Sequence, residues 1–374
     1  MSVITTEDPM AYLARQTPLP DFSTGAVHAD EVTAPENVVS TGTLPEVERV
    51  HELIETAHER YRTLDDGKVA DYIPSLGQAD PALFGISVCS VKGLTTNVGD
   101  SAHPFSIQSI SKVFVFALVC HELGHAEISR RVGVNNTGLP FNSVMALELS
   151  DGDPRNPLVN AGAITTTSLA PGSTAAEKWE FVRDGLSRFA GRQLEIDEKV
   201  YASESATNQR NKAIARLLQS YGRMEFDPIQ ATDVYTRQCS LLVTAEDLAI
   251  MAATLADGGV NPITRQKVID ASVCRDTLAV MATSGLYEFS GDWLFEVGIP
   301  AKSGVSGGIV TVAPGKGGLG TFSPRLDPAG NSVRGQRAAR FLSHALGLDI
   351  FASTPADEGV SAGRPGRSPR GSSQ

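Results

Sequence analysis

The stretch Pro104-Phe105-Ser106-Ile107-Gln108-Ser109-Ile110-Ser111-Lys112-Val113-Phe114 decides how the rest of this chain is read. It contains Ser109-x-x-Lys112 and runs directly into the apolar segment Val113 to Cys120. A bare S-x-x-K arises by chance in a chain of this length. The apolar run is what gives it weight. A helix that is apolar on every side belongs inside a protein, and it takes its lysine inside with it. At i and i+3 the serine and lysine share one face, with Cβ atoms about 5–6 Å apart. Ser109 falls in the first turn, where the helix dipole favours negative charge on its oxygen. Burial disfavours the ammonium form of Lys112. A neutral amine can take the serine proton and so activate a weak nucleophile. The plainer reading is a capping serine with a lysine snorkelling to water, and it needs a polar helix face that the sequence after Lys112 lacks.

Downstream, Pro300-Ala301-Lys302-Ser303-Gly304-Val305 ends a predicted strand with a K-[ST]-G triplet. S-x-x-K early and K-[ST]-G late is the pairing of serine β-lactamases and penicillin-binding proteins. It implies a strand lying beside Ser109, with the backbone N–H groups of Ser109 and Val305 forming an oxyanion hole. One such donor is worth about 2.7–4 kcal/mol of barrier. The S-D-N triplet of class A enzymes is missing, which argues against a β-lactamase proper.

Around these two motifs the chain reads as strands, a long helical insert, then strands. Val47, Val50, Ile54, Ala57, Tyr61 and Leu64 repeat at helical spacing, with Thr43 and Glu46 as an expected capping box. Phe84 to Val91 alternates like a strand, and a turn at Gly93 leads to a second strand near Leu94 to Val98. Helical patterns dominate from about 107 to 285. Thr174 and Glu177 open one helix, Trp179, Val182, Leu186 and Phe189 line its face, and Thr244 opens another that Gly258-Gly259 stops. Later strands are expected at Trp293 to Val297, Gly308 to Ala313 and Gly318 to Ser323, then a helix from Val333 to Leu348. The expected class is α/β of the α+β type: an antiparallel sheet flanked by helices, plus an all-helical lobe and a cleft between the two. Residues 1–42 read as a loose arm, 43–350 as the catalytic domain, and 351–374 as a disordered tail rich in Pro, Gly, Ser and Arg.

Three other motifs are set aside. His121-Glu122-Leu123-Gly124-His125 matches the zincin pattern H-E-x-x-H, but Gly124 reads as a helix stop and no third ligand follows. Gly315 to Gly320 matches G-x-G-x-x-G, but strand rather than helix follows it. Gly304-Val305-Ser306-Gly307-Gly308 matches G-x-S-x-G with the same defect.

Composition narrows the function classes. The chain has 374 residues, 41% hydrophobic and 20% charged, so a fully disordered, collagenous or coiled-coil chain is excluded. Its 32 Lys+Arg against 43 Asp+Glu give a net charge of −11, which repels nucleic acid and anionic lipid in the absence of a basic stripe. Cys89, Cys120, Cys239 and Cys274 are scattered, which suits a reducing compartment and neither a disulfide scaffold nor structural zinc. No secretory pattern is visible in Met1 to Glu31. Val113 to Cys120 is too short to span a bilayer. The expectation is a cytoplasmic protein with no metal, no cofactor, and no nucleic-acid or membrane partner.

Several long motifs in one order add a resemblance. They are Tyr72-Ile73-Pro74, Gln108-Ser109-Ile110-Ser111-Lys112, Asn156-Pro157-Leu158-Val159-Asn160-Ala161-Gly162-Ala163-Ile164, Ser203-Glu204 with Arg210-Asn211, Cys239-Ser240, Gly285-Leu286-Tyr287-Glu288-Phe289-Ser290-Gly291, and Ala301 through Gly308. Over about residues 45–350 the chain resembles the bacterial-type glutaminases, serine-dependent enzymes with a β-lactamase-like fold. The resemblance implies hydrolysis of L-glutamine to L-glutamate and ammonia, with Ser109 as nucleophile, Lys112 as base and no cofactor. It implies a substrate pocket of Tyr72, Ser109, Asn160, Glu204, Asn211, Tyr235, Tyr287 and the Val305 N–H, in a homodimer or homotetramer. The chemistry agrees. A zwitterionic amino acid needs a carboxylate for its ammonium, here Glu204, and donors for its carboxylate, here Asn160, Asn211 and Tyr72. Such a site rejects analogues lacking either group, because its own polar atoms would be left unpaired. Tyr235 and Tyr287 order Glu204 or pass protons, and the sequence does not choose between them. Tyr287, beside the scissile amide, is a candidate shuttle.

Overall fold

The apolar spacing around Val50 builds the first element of a computed structural model that describes residues 42–353. Helix α1 (Val47–Tyr61) buries Val50, Leu53, Ile54 and Ala57. The box expected from Thr43 and Glu46 does not form; Glu46 is itself the N-cap and no side chain caps the helix. The reason is Pro45, whose ring disfavours helical backbone at Leu44, so the helix starts after it.

The hairpin strands are β1 (Gly85–Ser90) and β2 (Thr95–Gly99), in register from Gly85 opposite Gly99 to Cys89 opposite Thr95. After the short β3 (Phe105–Ser106), a 3-10 turn over Gln108–Ile110 enters helix α2 (Ser111–Leu123). Every residue from Ser111 to Cys120 is buried, as an all-apolar helix requires. Then come α3 (His125–Val132), α4 (Met145–Glu148), α5 (Asn160–Ser168), α6 (Ala175–Ala190), α7 (Glu198–Thr207), α8 (Gln209–Ser220) and α9 (Pro228–Cys239). The pair β4 (Leu242–Val243) and α10 (Ala245–Ala256) follows, then α11 (Ala271–Ser284) and α12 (Ser290–Val297). Strands β5 (Ala301–Ser303), β6 (Gly308–Ala313) and β7 (Gly317–Phe322) and helix α13 (Val333–Ala345) end the described chain. Thr174 and Thr244 each make a capping box, with Glu177 and Asp247.

All neighbours in the five-stranded sheet are antiparallel, in the order β2-β1-β7-β6-β5. The antiparallel sheet flanked by helices is therefore the one read from the sequence. Helix α10 covers one face, and α1 and α13 cover the other. The glycines of 315–320 serve this packing: a Cβ on Gly318 would strike Ala252 and one on Gly320 would strike the Ala245 carbonyl, so α10 lies directly on the backbone of β7. A chain turn at Gly315 (φ +75°) and the strand after it leave no dinucleotide loop. Gly304–Gly308 likewise leads into β6, not a helix.

One expected strand is a helix. Trp293 and Val297 bury together at a spacing of four, whereas Phe295 between them is 88% exposed. Alternation would have buried all three. Gly298, at φ +72°, stops α12. The last helix ends at Ala345 rather than Leu348. The zincin pattern is broken as well. Gly124 (φ +83°) separates α2 from α3, so His121 and His125 stand on different helices and pair with Asp270 (3.5 Å) and Asp276 (2.7 Å). Among the described residues no three His, Cys, Asp or Glu side chains gather to hold a metal, and no helix is long and apolar enough to cross a membrane. The arm expected over 1–42 and the tail expected over 351–374 lie, but for their innermost residues, outside the described residues.

Candidate active site

Strand β3 positions the nucleophile turn. It pairs Phe105 with Val243 and Ser106 with Leu242, and the Ile107 N–H donates to Leu241 O (2.8 Å). The turn carrying Ser109 is thus tied to the chain between α9 and α10. Ser109 lies on this 3-10 turn, just ahead of α2, and is buried. Gln108 beside it has φ +51°, a left-handed conformation that is rare without glycine. Three bonds hold it there: Ser111 Oγ donates to Gln108 O (2.8 Å), and Gln108 Nε2 donates to Ser106 Oγ (3.2 Å) and Glu204 Oε1 (2.5 Å). From the other side the turn after β5 passes close over it. A Cβ on Gly304 would lie 3.0 Å from Ile107 O, so only glycine fits without displacing the turn.

A cleft of about 840 Å³ opens here. Tyr72, Ser109, Asn160, Glu204, Asn211, Tyr235 and Val305, all expected from the sequence, line it. Lys112 and Tyr287 stand behind the wall. Lys112 Nζ is buried and donates to Asn160 Oδ1 (2.7 Å), with the rings of Phe141 and Tyr235 5.5 and 6.0 Å away. Burial lowers its pKa from 10.5 to about 8, opposed weakly by the Cys239 thiol. Asn160 Nδ2 in turn donates to Asn211 Oδ1 (2.8 Å).

Tyr287 carries a left-handed backbone too (φ +53°). Its hydroxyl donates to Ser303 O (3.2 Å), and the neighbouring Ser109 side chain partly offsets the rise in its pKa. Burial pushes the phenol well above its ordinary pKa, so it stays neutral. Tyr235 is buried, shifted up for the same reason, and donates to Asn160 Oδ1 (3.4 Å). Glu204, from α7, is driven by desolvation from 4.5 to about 7, against the pull of the Gln108 bond. Tyr72 stands at the rim, 63% exposed.

Three nearby residues had no role in the sequence reading. Lys302 is buried and donates to Ser303 O (2.8 Å), with its ammonium 4.1 Å from the Tyr287 ring. Burial first and the charge of Lys112 second hold it well below an ordinary lysine. Its signal is in the K-[ST]-G triplet, which the sequence reading pairs with S-x-x-K and uses to place a strand and oxyanion hole beside Ser109, giving Lys302 itself no role. Cys239 lines the cleft with Sγ 3.8 Å from Ser111 Oγ, and burial pushes its thiol up to about 12. Gln108 gave no signal beyond its place before Ser109, because a positive φ cannot be read from a glutamine.

Comparison with known proteins places the chain. Residues 67–351 match the model of the family described as Glutaminase. The chain is 56% identical over 320 residues to Glutaminase 2 of Yersinia pestis, covering 86% of this chain and 94% of that protein. It is 48% identical over 310 residues to the Glutaminase of Mycobacterium ulcerans, covering 83% and 97%. Among solved structures, the probable glutaminase YbaS superposes with a TM-score of 0.82 at 42% identity, covering 83% of this chain and all of that one. A match of this extent, in sequence and in fold, means that the chain belongs to the glutaminase family and is an amidohydrolase.

Proposed function

We propose that this protein hydrolyses L-glutamine to L-glutamate and ammonia through a Ser109 acyl-enzyme, with Lys112 as the general base. The observation that carries the reading is the lysine: buried, three residues after the serine, and lowered to about 8, so that a usable fraction is neutral near neutral pH. Tyr287 lies near enough to Ser109 for that side chain to influence its phenol, which favours a part in proton transfer, but its raised pKa leaves no phenolate to act as a base. It fits a neutral relay, accepting from Ser109 while donating to Ser303 O.

In this mechanism Ser109 Oγ attacks the side-chain amide carbon and its proton passes to Lys112 Nζ. The oxyanion that forms is held by the N–H groups of Ser109 and Val305. The C–N bond breaks as the nitrogen takes the proton back and leaves as ammonia. Water then attacks the ester, giving its proton to the base, and glutamate departs with Ser109 restored. Glu204 receives the substrate ammonium, which would stabilise its carboxylate form once bound. Asn160, Asn211 and Tyr72 receive the substrate carboxylate. Asn160 and Asn211 bond each other in this structure, so binding exchanges one of their hydrogen bonds for a substrate contact.

The same reading takes 43–350 as the catalytic domain, with 1–42 and 351–374 outside it, supported by cleft residues that run from Gly67 to Gly330. It takes the protein as cytoplasmic, supported by Cys89, Cys120, Cys239 and Cys274 all being free thiols. It takes the assembly as a homodimer or homotetramer, for which exposed Phe295 and Phe351 offer apolar surface; sedimentation at equilibrium tests that point. The test of the chemistry is ammonia release from L-glutamine against L-asparagine, with Ser109→Ala beside the parent and the acyl-enzyme sought by rapid-quench mass spectrometry. Release from glutamine alone, with a mass gain on the Ser109 peptide, is the expected result. Full activity in a folded Ser109→Ala protein overturns the mechanism.

A further inference from the structure

Gln108 is held in a conformation its side chain does not favour, next to the nucleophile, and three separate contacts are needed to keep it there. Left-handed backbone on a residue other than glycine costs roughly 1 kcal/mol or more and persists only where the surroundings over-determine it. The surroundings here are specific. On the backbone side, Ser111 Oγ donates to Gln108 O (2.8 Å), Gln238 Nε2 donates to that same Ser111 Oγ (3.3 Å), and Thr167 Oγ1 donates to Gln238 Oε1 (2.9 Å). This buried chain runs from α5 through α9 to α2. On the side-chain side, the amide crosses to Glu204 on α7, 96 residues away in sequence, at 2.5 Å. A hydrogen bond to an ionised carboxylate is about twice as strong as one between neutral groups.

We propose that Gln108 is a positioning residue that keeps Glu204 ionised and aimed into the cleft, and so sets the affinity for the substrate's ammonium group at the acid end of the pH range. The proposal rests on the reading of Glu204 as the ammonium acceptor. The strained turn puts the carboxamide and the nucleophile on neighbouring residues, so the same backbone that presents Ser109 fixes the carboxylate that orients the substrate. Tyr72, Tyr235 and Cys239 are the titratable groups on which the Glu204 charge acts; Tyr235 and Cys239 are buried, the Tyr72 phenol loses water on its cleft side though the ring is exposed at the rim, and all three are raised, so they are neutral throughout the range of interest. Arg210 lines the same cleft, and Lys112 lies deeper, against Asn160. Desolvation works against the Glu204 carboxylate, and the Gln108 bond is what opposes it.

The test is Gln108→Met, which keeps the length and loses the donor, compared with the parent on L-glutamine from pH 5.5 to 8.5. The expected result is that the Glu204 part of the acid limb of kcat/KM, which lies below the Lys112 part, moves up by about one pH unit. That is about a ten-fold fall at pH 6 and less than about two-fold at pH 8.5. The change should lie in KM, with kcat nearly constant. In a Glu204→Gln background the same substitution should leave the pH profile unmoved. Should Gln108→Met fail to fold, Gln108→Gly accepts the positive φ without strain and lacks the same donor. An unmoved acid limb overturns the proposal, and so does a fall in kcat with KM unchanged, which would give Gln108 the placing of Ser109 instead. If the parent itself releases no ammonia from glutamine, the proposed function fails, which is a different result from a turnover-competent parent whose limb does not respond to Gln108.

Discussion

The two ends of α2 carry two motifs that look equally catalytic, and they have opposite fates. At the N-terminal end, Ser109 and Lys112 are buried under β3, the turn after β5, and Tyr287. At the C-terminal end, His121 and His125 stand beside two different carboxylates, Asp270 and Asp276, the His125 side chain 70% exposed, with a helix break between them. Both motifs have the residue types that chemistry needs. Only the first has the low-dielectric surroundings that change what those residues do. The lesson is that an enzyme-like spacing becomes a site through burial and through partners brought from elsewhere in the chain, and a spacing split by a helix break, with each residue beside a different carboxylate, does not.

The comparison breaks most severely at the nucleophile. Ser109→Ala should lower ammonia release by a thousand-fold or more, on the order of what triad members lose elsewhere. Activity retained in a folded variant would return S-x-x-K to the status of the zincin pattern.

Lys112→Met should cost about as much activity, and the double variant little more, because the two residues act as one unit. The same variant sharpens the comparison through stability. Lys112 holds its proton in the folded protein only below about 8, and in the unfolded chain until 10.5. Below 8 both states are protonated and the folded one bears the whole penalty, on the order of 3 kcal/mol at most. Between 8 and 10.5 the unfolded state binds more protons, so the parent gains stability as pH rises. The variant should therefore melt higher than the parent at pH 7, by a few degrees, with the gap closing toward pH 10.5. A variant that melts lower across the range would show that the lysine is a structural group.

A smaller effect is expected in the pH profile of the parent. As Lys112 must be neutral to take the serine proton, kcat/KM should rise with pH along a limb centred near 8. A kcat/KM independent of pH between 6.5 and 9 would remove Lys112 as base. The smallest effect belongs to the other end of the helix. His121→Ala and His125→Ala should each change stability by no more than about 0.5 kcal/mol and activity less than two-fold, and a strong chelator should leave the rate unchanged. Activity lost to chelator and restored by zinc would mean that the surface motif had been misjudged.

Much of this was legible in the chain. The apolar run after Lys112 announced a buried helix, and the two threonine capping boxes placed helix starts. The strand after each glycine motif excluded the nucleotide and elbow readings. The misreadings were also local. Trp293 to Val297 fits both a two-residue and a four-residue period, and packing against α13 and the chain before it chose the helix. Thr43 and Glu46 had the right spacing for a box, and Pro45 between them prevented it.

What the sequence determined by itself is therefore what depends on neighbours in the chain: the helix that carries the serine and lysine, the glycine turns, and the order of motifs that marks the family. What only the tertiary structure decided depends on distant neighbours. Lys112 meets Asn160 across 48 residues, Gln108 meets Glu204 across 96, and Tyr287 comes to Ser109 from the far side of the helical segment. Proton affinities of Lys112 and Glu204 follow from how completely water is excluded around them, and exclusion of water is a property of the packed molecule rather than of any stretch of its chain.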